Sequence, residues 1–402
     1  MTAVPPTDAA APPYRGLRVV EVAADVAGEF CTRLLGQMGA EVIKVEPPGG
    51  SPSRHAGPFV EGHSDGEHSL GFWHYNVGKR SAVLDLAEAA GLAGLRDLLR
   101  DADVFVFSGT PRAFRALGLD REALAEVNPG LVTLVITPFG LTGPWAEYQA
   151  SDLISFAASG VLACCGYDDH TIPPIRPSGN HAHQTSATFG HTALLLALVR
   201  RQSTGRGDLI DLATHDTMAI TVEMANTYWI YTGAILRRQT ARHAQPVPTA
   251  QTLFECADGR YVVIVFIVAE QKPWSIFVEW LASHDLALDL SEERYLDPRV
   301  RQQEFGHIQE VLEIFFLTLD ADTAFREGQE RGLPIGTVFA PEEILDLEQL
   351  RERQYFDTIE VDGVANVVVP GPPYRLSGVA GQALSPPPRL AEYQADLVPG
   401  QV

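Results

Sequence analysis

His181 and His183 stand two residues apart in GNHAHQTSATFG, the stretch Gly179–Gly190. An imidazole can take up a proton near neutral pH or attack an activated carbonyl, so these side chains are the first to consider for chemistry. Their spacing is also that of two ligands on one face of a strand. A zinc centre would need His191 or His215 to converge on them, which nothing in the residue order brings about, and no metal is expected. Asp152 opens the apolar run DLISFAASG. It reads as a carboxylate partner for an imidazole, as the cap of the helix that follows, or as both. Cys164 and Cys165 are adjacent, a poor arrangement for a disulfide, and with Cys31 and Cys256 they form no CxxC pair. They read as reduced, small apolar residues, and Asp168-Asp169 as solvated turn residues.

Charge narrows the partners. Acidic side chains outnumber basic ones 51 to 30, a formal charge of -21 that opposes nucleic acid and anionic membrane as general partners. A small phosphate-bearing ligand needs only a few local cations or N–H donors and stays compatible. No apolar run reaches the ~18 residues of a membrane span. Residues 1–13 are rich in Ala, Pro and Thr without a basic or apolar targeting segment, and read as a disordered tail. A cytoplasmic protein with free thiols is expected. The 402 residues exceed what one core of about 250–300 holds, so more than one domain is expected.

The elements that must position these residues begin as an alternation of strand and helix. Leu17–Val22, Glu41–Val45, Ala82–Leu86, Val104–Phe107 and Leu131–Ile136 read as strands, with helices over Glu29–Met38 and Ala87–Leu99. Short apolar strands separated by helices predict a parallel, Rossmann-like α/β sheet covered on both faces. A helix is expected over Thr185–Arg201, a break at Gly205–Gly207, and a second long helix from about Ala213 to Tyr231. Arg237–Pro248 reads as a connector. Gln251–Val268 reads as strands around the Asp258-Gly259 turn, with helices near Trp274–Leu281 and Gln303–Phe316, a smaller α/β unit. Turn-rich strands return around Asp362-Gly363.

Several stretches, in order, carry a family likeness. They are LRVVEVAADVAGEFCTRLLGQMGAEVIKVEPPGG (Leu17–Gly50), NVGKRSAVLDL (Asn76–Leu86), TPFGLTGPW (Thr137–Trp145), STGRGDLIDLATHD (Ser203–Asp216), FECADGRYVVI (Phe254–Ile264) and GLPIGTVFAPEEIL (Gly332–Leu345). Together they resemble the class III CoA-transferases, the group that includes formyl-CoA transferase, carnitine CoA-transferase and α-methylacyl-CoA racemase. The resemblance implies a large Rossmann-like domain built from both chain ends, a smaller domain, and two interlocked subunits. On that pattern residues 14–205 start the large domain, 206–250 are a helical connector, 251–335 the small domain, and 336–402 return to the large one.

The resemblance also implies an acyl-CoA and a carboxylic acid as substrates, with CoA bound as the thioester. In the transferases an aspartate just before the long helix attacks the thioester. Counting back from Ala193–Leu198 places that position on His183; a small shift would place His181 or Asn180 there, and none of the three is an acid. The racemases' His-Asp dipeptide corresponds to Ser151-Asp152, so Asp152 and His183 are the implied acid–base candidates. The family's CoA loops fall on Val26, Ala27, Leu84, Gly109 and Ala113, with Arg54, Lys79 and Arg80 as phosphate candidates. Three readings follow: a CoA-transferase; a racemase, isomerase or lyase using His183 and Asp152; or a non-catalytic subunit partnered by a paralogue. A homodimer is the expected assembly in the first two. Tyr228, Trp229 and Tyr231 could line a pocket for a bulky acid or pack within a helical core.

Overall fold

The computed structural model describes residues 11–222, 224–265, 268, 270–379 and 384–398. Residues 1–10 of the expected tail lie outside them. Two compact units emerge: residues 1–161, 177–221 and 347–402 form one, and residues 162–176 and 222–346 the other. The first unit is therefore built from both chain ends, as expected. Its boundaries differ from the sequence reading: residues 206–221 go with the first unit, while 162–176 and 336–346 join the second.

The first unit is organised by six parallel strands: β1 (Arg18–Ala23), β2 (Glu41–Glu46), β3 (Arg80–Val83), β4 (Val104–Ser108), β5 (Val132–Thr137) and β6 (Asp208–Ala213). Their order is β3-β2-β1-β4-β5-β6. Strand residues alternate between two cores because successive side chains point to opposite faces. Val19, Val42, Val104 and Val132 pack with Ala27, Cys31 and Leu35 of α1 (Val26–Gly36) and with Ala187 and Leu194, further along the chain. Val20, Ile43, Phe105 and Val135 pack with Leu95, Leu98 and Leu99 on the other face. The remaining helices of the first stretch are α2 (Leu70–Asn76), α3 (Ala89–Arg100), α4 (Pro111–Ala116), α5 (Arg121–Val127) and α6 (Asp152–Ala158).

α7 spans His181–Thr204, four residues longer at its start than expected, and ends at Gly205 with φ +67, a left-handed cap that glycine adopts freely. Over the span of the expected second long helix stand instead α8 (Thr214–Ala219), a 3-10 turn at Ile220–Val222 and α9 (Met224–Thr232), directly after β6. Arg237–Pro248 contains a hairpin, β7 (Arg237–Gln239) and β8 (Arg242–Gln245), where a connector was expected.

In the second unit β9 (Leu253–Glu255), β10 (Tyr261–Ile264) and β11 (Ile335–Thr337) form an antiparallel sheet in the order β11-β10-β9. Its helices are α10 (Gln271–Ser283), α11 (Pro298–Gln303), α12 (Phe305–Phe316) and α13 (Ala321–Glu330). Trp274, Phe277, Trp280, Phe315 and Phe316 fill its core. Beyond α14 (Glu348–Glu352), the returning chain forms the hairpin β12 (Phe356–Val361)–β13 (Val364–Pro370) and ends in α15 (Gln394–Leu397). There Gln394 accepts from the Val83 amide at 2.6 Å and donates to the Val83 carbonyl at 3.1 Å. The exposed edge of β3 is thus satisfied by the chain's own tail.

Candidate active site

The first turn of α7 is stabilised from outside its own sequence. Its N-cap residue, Asn180, makes no side-chain cap bond. Asp152 supplies the missing acceptor: its Oδ1 receives the amides of Ala182 at 2.8 Å and His183 at 3.3 Å. The helix that Asp152 itself opens is capped by Ser151, so Asp152 caps α7 and not α6. The expectation that Asp152 and His183 act as an acid–base pair is changed by this geometry. The hydrogen bond joining them runs to the His183 main chain, not to its ring. Asp152 is only 6% exposed and spends this acceptor on orphan amides at a helix start, where negative charge is favoured.

His183 is half-buried, and its Nδ1 is enclosed without a hydrogen-bond partner. Next to it, Gln184 donates to the Tyr75 hydroxyl at 3.2 Å. Ser186 contacts the Ala182 carbonyl and Thr217 of α8, which fixes the turn carrying the imidazole. His181 and His183 are both helical, and residues two apart on a helix point to different faces, so the expected shared ligand face does not form. His191 is engaged by the Tyr14 hydroxyl at 2.9 Å. His215 reaches the Ala158 carbonyl and sits among Phe139 and Trp145.

The second feature lies where the strand order reverses. β1 and β4 are neighbours, while the chain crosses to β2 on one side and β5 on the other. Open parallel sheets bind ligands outside the carboxyl ends of the strands at such a point. Val26 and Ala27 open α1 directly after β1, and Gly109 follows β4, so the sequence-derived loop residues gather here. Asp25 caps α1 through the amides of Ala27 and Gly28. A Cβ at Gly28 would lie 2.5 Å from Ser108 Oγ, so only glycine lets α1 approach the end of β4 this closely. Ser108 Oγ is buried there without a partner. Ala113 is exposed on α4 and its amide is spent on Thr110. Leu84 does not gather with these residues: it is buried in the core with Leu95 and Leu98.

The cations expected for phosphate are placed differently from the sequence reading. Arg54 is buried, binding Glu46 with two nitrogens, Glu67 with a third, and the Pro388 carbonyl. Lys79 is buried against Glu21, Asn76 and the Glu29 carbonyl. Arg80 is half-exposed, pairs with Glu41 and lies over the Tyr393 ring. Arg54 and Lys79 therefore face inward, to a network that also holds Lys44 between Glu21 and Glu29 at 2.7 and 2.8 Å. Burial opposes ionisation of Glu21, but the Lys44 and Lys79 ammoniums outweigh it and hold its carboxyl down at about 2. Burial likewise opposes Glu46, and Arg54 and Lys44 bring it down to about 2. Lys44 loses solvation by burial, yet the adjacent carboxylates raise it above its ordinary value. For Lys79 burial prevails and pulls it down to about 8, with Glu21 opposing.

Two cations not singled out from the sequence stand on α4, beyond the end of β4: Arg112 and Arg115. Both are exposed, and Arg115 pairs with Glu147. The available signal was Thr110-Pro111, a cap followed by proline at the first helical position, which marks a helix start directly after an apolar strand.

Comparison with known proteins agrees with this geometry. The profile of CoA-transferase family III matches residues 14–393. The chain is 31% identical over 391 residues to the succinyl-CoA:(R)-benzylsuccinate CoA-transferase subunit BbsE of Thauera aromatica, covering 96% of this chain and 93% of that protein. It is 29% identical to the succinyl-CoA–L-malate CoA-transferase alpha subunit of Chloroflexus aurantiacus, covering 95% of this chain and 87% of that protein. A crystal structure of a CaiB/BaiF family protein from Brucella suis superposes with a TM-score of 0.83 at 26% identity, covering 96% of this chain and 98% of that one.

Proposed function

This chain belongs to CoA-transferase family III and acts on the acyl-CoA thioester of a carboxylic acid; we propose that its acceptor is a dicarboxylic acid and that His183 stands at the reacting position. The observation that carries the second part is the His183 imidazole. It sits in the first turn of α7 with a buried, unpartnered Nδ1, on a turn held by Asp152 and Ser186. Support for the first part comes from the two relatives above, whose named acids, benzylsuccinate and malate, both carry two carboxyl groups and whose named donor is succinyl-CoA.

An imidazole can run the transfer with atoms in balance. A ring nitrogen attacks the thioester carbonyl, the C–S bond breaks, and CoA thiolate leaves. The acceptor carboxylate then attacks the acyl-imidazole, forming a mixed anhydride and restoring the ring. Thiolate adds at the acceptor's carbonyl, giving the new thioester and releasing the donor acid. Main-chain groups at the carboxyl ends of β1 and β4 would hold the pantetheine, and Arg112 the phosphates. Asp152 is a positioning residue, acting through the helix start. An acyl-imidazole is readily hydrolysed, so some loss of thioester to water accompanies transfer.

The test is formation of a new CoA ester from succinyl-CoA with benzylsuccinate or malate, read by chromatography. Wild type forms the ester, and His183→Ala lowers the rate at least 100-fold. His183→Asp, which restores a carboxylate nucleophile, transfers with less hydrolysis. Equal rates in wild type and His183→Ala would remove His183 from the chemistry. A second reading is favoured by one observation, that both relatives are described as subunits: this chain would pair with a paralogue carrying the acid. A homogeneous recombinant chain that transfers CoA by itself excludes it. We place the homodimer here as well, because apolar side chains of α7 and α9, Leu196 and Ile230 among them, are exposed in the single chain.

A further inference from the structure

The loop between Gly57 and Ser69 carries a cluster with no part in the transfer chemistry. Its sequence EGHSDGEHS spaces two histidines about an aspartate as His-x-Asp-x-x-His. Backbone bonds close the loop: Val60 N to the His68 carbonyl and His63 N to the Val60 carbonyl, both at 3.0 Å. Phe59 and Ser69 form a β-bridge at its base. The imidazoles of His63 and His68 stack with centroids 3.7 Å apart and planes inclined by 26°. Both Nδ1 atoms face one carboxylate: His68 Nδ1 lies 2.7 Å from Asp65 Oδ1, and His63 Nδ1 lies 3.8 Å from Asp65 Oδ2. One ligand atom from each residue can be chosen so that all three lie within 4.8 Å of one another. Among the described residues this is the one set of histidine, cysteine and acidic side chains that converges in this way.

We propose that His63, Asp65 and His68 form a binding site for a divalent transition-metal ion of the zinc class. Two neutral imidazoles and one carboxylate suit Zn²⁺, Ni²⁺ or Cu²⁺, whereas Mg²⁺ and Ca²⁺ call for all-oxygen shells. Ligand atoms around a tetrahedral zinc lie about 3.4 Å apart, given bonds of about 2.0–2.1 Å, so the set needs only side-chain rotations to close. The fourth position stays open to water. The loop is held in place for this. Glu67, between two of the ligands, accepts from Arg54 at 2.9 Å and from the Leu390 amide at 3.1 Å, and its carbonyl receives the Trp73 indole at 2.8 Å. A metal here would staple the loop to the buried Arg54–Glu46 pair and to the returning C-terminal segment, which makes it a structural site.

The proposal is independent of the transferase reading, and its readout is binding, not turnover. Full-length chain stripped with chelator is titrated with Zn²⁺ against a chromophoric competitor, and with Co²⁺ by visible absorption. One equivalent is expected to bind, with the cobalt spectrum reporting nitrogen–oxygen ligation. His63→Ala and His68→Ala each weaken binding at least tenfold, and Asp65→Asn weakens it while keeping side-chain size. Zn²⁺ raises the thermal midpoint of wild type and not of the double histidine variant, because only ligand bound to the folded state stabilises it. The ligands lie on an exposed loop, so the variants fold, as circular dichroism will verify. Absence of stoichiometric binding, or binding that survives the double histidine variant, overturns the proposal.

Discussion

A helix start can borrow its cap from another element, and the Asp152 carboxylate shows the cost of reading chemistry from spacing alone. In the sequence Asp152 precedes an apolar run and invites the role of N-cap to that run, or of acid to His183. In the fold Ser151 takes the local cap and Asp152 serves two amides thirty residues further along, at 2.8 and 3.3 Å. Replacing a capping aspartate by alanine typically costs about 1 kcal/mol. Asp152→Ala is therefore expected to lower stability by about 1–2 kcal/mol, measured as a shift of the urea midpoint, since the carboxylate is buried and serves two donors. Asp152→Asn keeps a side-chain oxygen for the cap and should recover most of that loss. If transfer chemistry fell equally in both variants, the carboxylate charge itself would be needed, and the positioning role would be wrong. The sequence reaches His183 by an ungapped count within an ordered series of motifs, a count that a small shift would move to His181 or Asn180. The direction of the Asp152 side chain was not legible, because the amides it serves are remote in the chain.

Elements were legible where one short segment carries its own signal. β1, β2, β4 and β5 are apolar runs buried on both faces, and each lies within a residue or two of its expected limits. β6 was missed because Asp208 and Asp211 interrupt its apolar run, and as an edge strand it is only partly buried. The start of α7 was missed because its cap is not local. The buried charges show a different failure, since Lys44, Lys79 and Arg54 in the sequence are simply cations. In the fold they face Glu21, Glu29 and Glu46, three against three, tying β1, β2 and α1 to the residues before β3. Such a network contributes little net energy when complete, but breaking it is expensive, about 3–5 kcal/mol when one partner is removed. Its pH dependence has a definite sign. The folded pKa of Glu46 is depressed to about 2 from the ordinary 4.5. Its contribution is therefore fully present above pH 4.5 and is lost as pH falls toward 2, on the order of 3 kcal/mol. Urea midpoints of wild type should drop steeply between about pH 4.5 and pH 2, the window those two values set. Glu46→Gln should be destabilised at pH 7 and show a flatter profile over that range. A profile of unchanged steepness would mean that other carboxylates govern acid unfolding.

At the scale of the whole molecule, charge and apolar exposure pull in opposite directions. The chain carries a formal charge of -21, which keeps copies apart, yet Trp229, Ile230 and Tyr231 on α9 are 60%, 71% and 81% exposed. The sequence reading left Tyr228, Trp229 and Tyr231 between a substrate pocket and a helical core; in the single chain Trp229 and Tyr231 are exposed and Tyr228 is half-buried. Consecutive apolar residues at that exposure are a liability unless another surface covers them, and the proposed dimer supplies one. Repulsion between like-charged subunits is long-ranged and screened by salt, whereas burial of the aromatic side chains is not weakened by salt. Association should therefore tighten as ionic strength rises, the reverse of what a salt-bridged interface would do. Light scattering is expected to give a mass twice the 43.7 kDa of one chain, with less dissociation on dilution at high salt. Ile230→Lys adds charge at an exposed position, where the single chain loses little packing, and should shift the population toward monomer. A wild-type mass of a single chain at micromolar concentration would remove the homodimer. It would leave the exposed face for a different partner, the paralogous subunit of the second reading, whose addition would then have to restore both the larger mass and CoA transfer.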